Sequence, residues 1–134
     1  MKYLLDTNIC VHWLRGQFSI AEAVNDHGIE NCFISEITKA ELLYGQRIAI
    51  RKGIKVNSDD LAKFFDIIRA VPISDALELY AVEKDRLCAV GTPLEDFDLL
   101  IGCTAVSGGY ILVSENDRHM ARLSGIRVEN WSVR

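Results

Sequence analysis

Short apolar runs separated by longer mixed stretches organise this chain. Lys2 to Leu5 is apolar and stops in Asp6-Thr7-Asn8, the pattern of a buried strand ending in a polar turn. Ile9 to Leu14 reads as a helix stopped by Gly16, and Ser19 to Asp26 as a second short helix before Gly28. Asn31 to Ile34 is a buried-strand pattern, and Ser35 caps a helix from Glu36 to Tyr44. Arg51 to Asn57 is a basic, polar loop or helix end. Ser58 or Asp59 then caps a helix whose apolar face is Leu61, Phe64, Phe65 and Ile68.

In the second half, Val71-Pro72-Ile73 predicts a very short strand at an edge or an end, since proline cannot donate to a ladder. Ser74 caps a helix from Asp75 to about Ala89, with Gly91 after it. Thr92-Pro93 opens the next helix, which runs through Asp98 to Ser107 and ends at Gly108-Gly109. Tyr110 to Val113 is a strand, Asp117 to Ser124 a short helix, and Ile126 to Trp131 a last strand. No hairpin turn joins two strands, and helices intervene throughout. The expectation is an α/β fold, a mostly parallel sheet covered on both faces. Ligands of such sheets bind outside the carboxyl ends of the strands. That rule alone selects Asp6, Ser35 and the stretch from Ser114 to Asp117.

The chain has 134 residues, 49% of them hydrophobic and 25% charged, which suits one globular domain with a real core. This composition excludes wholesale disorder and rod-like folds. No apolar run approaches the length of a spanning helix, and Asp6 falls where a secretion signal needs its apolar stretch. A cytoplasmic protein without membrane contact is therefore expected. The formal net charge is −4. Nucleic-acid binding by such a chain needs a local basic patch or metal ions, because a general basic surplus is missing. Cys10, Cys32, Cys88 and Cys103 form no C-x-x-C pair and have no histidine at zinc-ligand spacing, so they read as reduced, buried small hydrophobes.

Three acids stand out by position. Asp6 alone reads as a turn residue before it reads as a site residue. Glu41 lies among Ala40, Leu42 and Leu43 and alone reads as a solvated helix glutamate. Asp98 precedes the almost wholly apolar Leu99-Leu100-Ile101-Gly102-Cys103-Thr104-Ala105-Val106. A carboxylate there needs a cap, an arginine or a metal, and its place near a helix N-terminus suits negative charge. Carboxylates gathered at one sheet end repel unless a cation sits between them. Oxygen-only ligation suits Mg²⁺, with Mn²⁺ as a substitute, and such a site can act on a phosphodiester.

At this point the chain resembles the PIN-domain ribonucleases, in particular the toxin half (VapC type) of toxin–antitoxin pairs. The resemblance rests on four pieces in order. They are Tyr3-Leu4-Leu5-Asp6-Thr7-Asn8; Ser35 through Glu41 to Gly45; Gly91-Thr92-Pro93-Leu94 leading to Asp98-Leu99-Leu100-Ile101-Gly102; and Ile111 to Asn116 with Ile126 to Trp131. The resemblance implies a three-layer sandwich with about five strands, and metal-dependent endoribonuclease activity. It implies Asp6 and Asp98 as direct Mg²⁺ ligands, with Glu41 holding a metal-bound water or a second ion. Asn8 and Ser114 take the polar positions that trim the site. It further implies an RNA substrate, a small antitoxin that blocks the acidic pocket, and a homodimer.

The family's fourth acid follows the fourth strand, and here the stretch reads Ser114-Glu115-Asn116-Asp117-Arg118-His119. Asn116 and His119 stand where acids are usual, Glu115 holds the usual Asn position, and Asp117 is one place away as the substitute. Lys39, Arg47, Arg51, Lys52 and Lys55 are the densest basic stretch, and either solvated charges or phosphate contacts, Arg51 foremost. His12 and Trp13 follow Asp6 on the first helix, and Trp13 reads as a core or partner contact. Two alternatives stand beside the nuclease. One is a catalytically weak PIN-fold interaction domain. The other is a phosphatase with Asp6 as nucleophile, disfavoured because Asn8 replaces the second aspartate.

Overall fold

Side-chain alternation along very short strands builds one sheet and a core on each face of it. The computed structural model describes residues 1–133; Arg134, the end of the expected single domain, and the side chain of Ser58 lie outside the described residues. The strands are β1 (Tyr3–Leu5), β2 (Cys32–Ser35), β3 (Arg69–Val71), β4 (Ile111–Val113) and β5 (Val128–Glu129). They form a five-stranded sheet in the order β3-β2-β1-β4-β5, and every neighbouring pair is parallel. Central β1 sets Tyr3 opposite Cys32 on one side and Ile111 on the other.

Successive strand residues face opposite ways. Tyr3, Leu5, Cys32, Ile34, Ile111 and Val113 enter one core. Leu4 and Leu112 enter the other. The first core is closed by α1 (Thr7–Leu14), α2 (Ile20–His27) and α4 (Ser58–Ile67), through Ile9, Ile20, Val24 and Phe64. The second is closed by α5 (Leu77–Ala89), α6 (Asp96–Gly108) and α7 (Asp117–Met120). The long helix α3 (Glu36–Arg51) sends Leu42 into the first core and rests Ile37 against the second. Helices therefore cover both faces, and the expected three-layer α/β sandwich is what the chain forms.

The apolar run after Asp98 is buried as expected: Leu99, Ile101, Gly102, Cys103, Thr104 and Ala105 are all inside. At Gly102 α6 packs closely on the segment that follows β4, since a Cβ there would collide with Leu123 and Met120. A side chain at this point would push α7 away from α6.

Several boundaries differ from the pattern reading. α1 starts at Thr7 rather than Ile9, because Asp6 is extended and its carboxylate accepts the Thr7 N–H as a cap. α3 runs through Gly45 to Arg51, beyond the expected end at Tyr44. α4 is capped by Asn57, whose side chain accepts the Asp59 N–H. β3 lies at Arg69–Val71 instead of Val71–Ile73, since Pro72 has no N–H to extend the ladder. Ser74 opens a 3-10 turn and makes no side-chain cap, so α5 begins at Leu77. Pro93 is not the first residue of α6, which begins at Asp96 after an extended Glu95. α7 stops at Met120 and β5 has only two residues. Cys10, Cys32 and Cys103 are buried free thiols, whereas Cys88 is exposed on α5.

Candidate functional site

Strand order decides where the site forms. From β1 the chain steps outward to β2 and β3, then returns to place β4 on the other flank of β1. Connections therefore leave β1 and β4 in opposite directions, and a crevice opens at their carboxyl ends. Asp6 directly follows β1 and Ser114 directly follows β4. The Ser114 hydroxyl donates to Asp6 Oδ2 at 2.7 Å, and the Thr7 N–H donates to Oδ1 at 2.8 Å. Asp6 is only 3% exposed. Burial raises its pKa above the usual 3.8 despite both hydrogen bonds, and the Glu41 charge raises it further.

Glu41 reaches the crevice from α3. The Thr7 side chain lies 2.8 Å from Glu41 Oε1 and 3.0 Å from the hydroxyl of buried Thr38. Thr7 has one hydroxyl proton; it donates to the carboxylate, and Thr38 donates to Thr7 in turn. Asp98 sits half-buried in the first turn of α6. Burial raises its pKa, the charges of Asp6 and Glu95 add to the shift, and His119 opposes it. Asp6 is thus the middle of three carboxylates, acted on by Glu41 and acting on Asp98. Among the described residues none of the three forms an ion pair with a basic side chain.

The geometry also bears on a divalent cation. Among the described residues no group of three His, Cys, Asp or Glu side chains is gathered closely enough to form a cage. The donors are all oxygens, none of them is ion-paired among the described residues, and Glu41 is turned towards Thr7. This set fits an ion that keeps most of its water and takes one or two carboxylates, the habit of Mg²⁺. Asp6 and Asp98 would hold it.

The remaining expected residues fall into distinct places. Asn8 Oδ1 accepts the Glu115 N–H at 3.2 Å, and His12 Nε2 lies 3.1 Å from Glu115 Oε1, so α1 clasps the loop after β4 from two points. The Asn116 N–H donates to Ser114 Oγ at 3.0 Å. Asp117 is exposed at the start of α7, and its charge is not among those acting on Asp6 or Asp98. Arg51 is exposed at the far end of α3, roughly 15 Å along the axis from Glu41. The ammonium of Lys39 covers the Phe65 ring at 5.0 Å. Ser35 is a fully buried cap of α3. Trp13 packs edge-on against Phe64 in the first core.

Thr7, Thr38, Glu95 and the reach of His119 escaped the pattern reading. Thr38 had a usable signal, because three residues before Glu41 it shares that helix face. Glu95 stands just before the first turn that carries Asp98 and was hidden by the expected helix start at Pro93.

The profile of the family described as "PIN domain" matches residues 3–126. A tRNA(fMet)-specific endonuclease VapC of Shigella flexneri is 30% identical over 137 residues, covering 98% of this chain and 99% of the relative. A ribonuclease VapC2 of Haemophilus influenzae is 32% identical over 136 residues, covering 98% of each. Among solved structures, VapBC2 of Rickettsia felis, bound to a DNA fragment from its promoter, superposes with a TM-score of 0.85 at 27% identity. It covers 98% of this chain and 99% of the other.

Proposed function

The chain belongs to the PIN-domain family, and on that footing we propose that it is a Mg²⁺-dependent endoribonuclease, the toxin of a toxin–antitoxin pair. Relatives named as ribonucleases support the nuclease reading over the whole chain. The observation that carries the metal-dependent mechanism is the run of three carboxylates, Glu41, Asp6 and Asp98, without an ion-pair partner among the described residues and centred on a buried aspartate at the sheet's switch point.

In this mechanism Asp6 and Asp98 would hold the cation, Mg²⁺ or Mn²⁺ in its place. When bound, the ion supplies neutralisation of charge on the RNA phosphodiester and a more acidic water. Ser114 and the Thr7 N–H fix the Asp6 carboxylate in one orientation. Thr7, itself held by Thr38, donates to Oε1 of Glu41, leaving Oε2 without a partner among the described residues and able to take a proton from the attacking water. Asn8 and Asn116 hold the loop that presents Ser114. Asp117 is the candidate fourth acid and Arg51 a candidate phosphate contact. The VapBC structures among the neighbours support a small antitoxin as partner, and the family resemblance supports a homodimer. No helix among the described residues is long and apolar enough to cross a membrane.

Asn116 and His119 at the usual acid positions, with Asp117 acting on neither Asp6 nor Asp98, favour a second reading, a PIN-fold interaction domain with weak catalysis. One experiment separates the two. Antitoxin-free protein is incubated with total cellular RNA in Mg²⁺, Mn²⁺ or EDTA, beside Asp98→Asn. Metal-dependent cuts that vanish in the variant are expected. An absence of cuts from folded protein, with no calorimetric Mg²⁺ binding, would leave the interaction domain.

A further inference from the structure

A groove of about 440 Å³ opens beside the carboxylates, sharing Thr7 and Glu41 with them. Its walls come from Val11 and Leu14 of α1, Gly45 and Gln46 of α3, and Val56 and Asn57 ahead of α4. The volume lies within the roughly 300–1,000 Å³ of small-ligand sites, and apolar walls with a few polar groups are their usual lining.

Gly45 is the telling residue. It stands inside α3, where glycine weakens a helix relative to alanine. Neither usual reason for a glycine applies. Its φ is not in the left-handed region, and a Cβ built on it would meet nothing within 4 Å. What the missing side chain leaves is open space in the groove. The side chain of Gln46, half-buried beside it, makes no hydrogen bond among the described residues, so its amide is free to donate and accept. The Asn57 carbonyl is used by Asp59, which leaves its NH₂ as a donor. Arg15 and Lys55 balance Glu41 and Asp60 in the same lining and are its groups suited to the phosphates of a polyanion.

We propose that this groove is a nucleobase pocket, which seats one unpaired base of the RNA beside the phosphate to be cut, and that Gly45 keeps it open. The inference rests on the nuclease reading for its substrate class. The aliphatic walls take the flat faces of the base, and the Gln46 and Asn57 amides meet its edge, the way single-stranded RNA is read. Glu41 lines the groove, so a base seated there lies against one of the three carboxylates. The pocket therefore sets which sequence is cut, whereas Asp6, Glu41 and Asp98 set whether anything is cut.

The test is equilibrium binding of fluorescent random-sequence hexaribonucleotides, and of an abasic ribose-phosphate hexamer of equal charge, in Ca²⁺ buffer. Wild-type protein is expected to bind the base-containing pool about tenfold tighter than the abasic one, the scale of one apolar group in a pocket. Gly45→Leu, a better helix former that fills the groove, is expected to erase that difference with abasic binding and Tm retained. Gln46→Ala is the second variant should Gly45→Leu lose its fold, and it is expected to change which base is preferred. A Gly45→Leu protein that still prefers bases as wild type does overturns the pocket. So does a variant whose only loss is binding of a protein partner. Failure of the nuclease reading is separate: it is the absence of metal-dependent cuts by wild-type protein.

Discussion

The Ser114 hydroxyl donates a 2.7 Å hydrogen bond to Oδ2 of Asp6 across 108 residues of sequence, in full burial. It ties the end of β4 to the end of β1, the neighbouring strands from which the chain connections leave in opposite directions. The same Ser114 oxygen accepts the Asn116 N–H, so the serine also fixes the turn into α7. One hydroxyl thereby couples the orientation of the central carboxylate to the loop beside it.

Ser114→Ala removes the donor and leaves a buried acceptor unsatisfied. The expected cost is about 1–3 kcal/mol of stability, measured by denaturant unfolding. Loss of a bond that lowers the Asp6 pKa also moves the acid limb of RNA cleavage to higher pH. Ser114→Thr retains the hydroxyl and is expected to retain that limb. An unchanged limb in Ser114→Ala would show that Asp6 ionisation does not control the reaction.

Asp6 and Asp98 both carry pKa values raised above 3.8, so the native state holds protons that the unfolded state has released. Their contribution to stability is present below 3.8 and is lost as pH rises through the raised values. Activity runs the other way, because cation binding needs both groups ionised. Mg²⁺ is therefore expected to raise Tm at neutral pH, to do so little near pH 4, and to do less in Asp98→Asn. Thermal scans with and without Mg²⁺ across this range check it.

Glu83 carries the opposite sign. Its side chain is 4% exposed, receives two bonds from Arg86 at 2.8 and 3.0 Å, and accepts the Ser124 N–H at 2.6 Å. The Arg86 bonds lower its pKa to about 2, against a smaller opposing effect of burial. It contributes stability above 4.5 that is lost as pH falls towards 2. Glu83→Gln is expected to cost about 1–3 kcal/mol at pH 7 and much less at pH 2 to 3, with Mg²⁺ binding unchanged. Urea titrations at the two pH values measure it.

Asn8→Ala breaks one of the two clasps between α1 and the loop after β4. The side chain touches no carboxylate, so the expected effect is on positioning. Amide exchange at Glu115 accelerates, the cleavage rate falls about tenfold at unchanged Mg²⁺ affinity, and Tm shifts little. His12→Ala removes the other clasp and is expected to act in the same direction. Exchange at Glu115 as slow as in wild type would dismiss the clasp.

Much of the fold was legible because burial writes itself into consecutive residues. Tyr3-Leu4-Leu5 and Ile111-Leu112-Val113 are apolar at every position because both faces of a central parallel strand are covered. Boundaries were less legible. α3 passes through Gly45 since tertiary contacts of Leu42 outweigh one poor helix former. β3 is displaced towards Arg69 because pairing with Phe33, Ile34 and Ser35 sets its register, and no local pattern encodes a partner strand.

The candidate site divides the same way. Sequence by itself determined that Asp6 ends a buried strand, that Asp98 heads a buried helix, and that the strands are parallel with ligands at their carboxyl ends. Each follows from the character of neighbours within one turn or one strand. Only the tertiary structure decided that Ser114 meets Asp6, that Thr7 holds Glu41 across 34 residues, and that Glu95 rather than Asp117 acts on Asp98. It also opened the groove over Gly45. Hydrogen bonds and Coulomb forces act through space over a few ångströms, and the order in which strands pair sets which distant residues come that close.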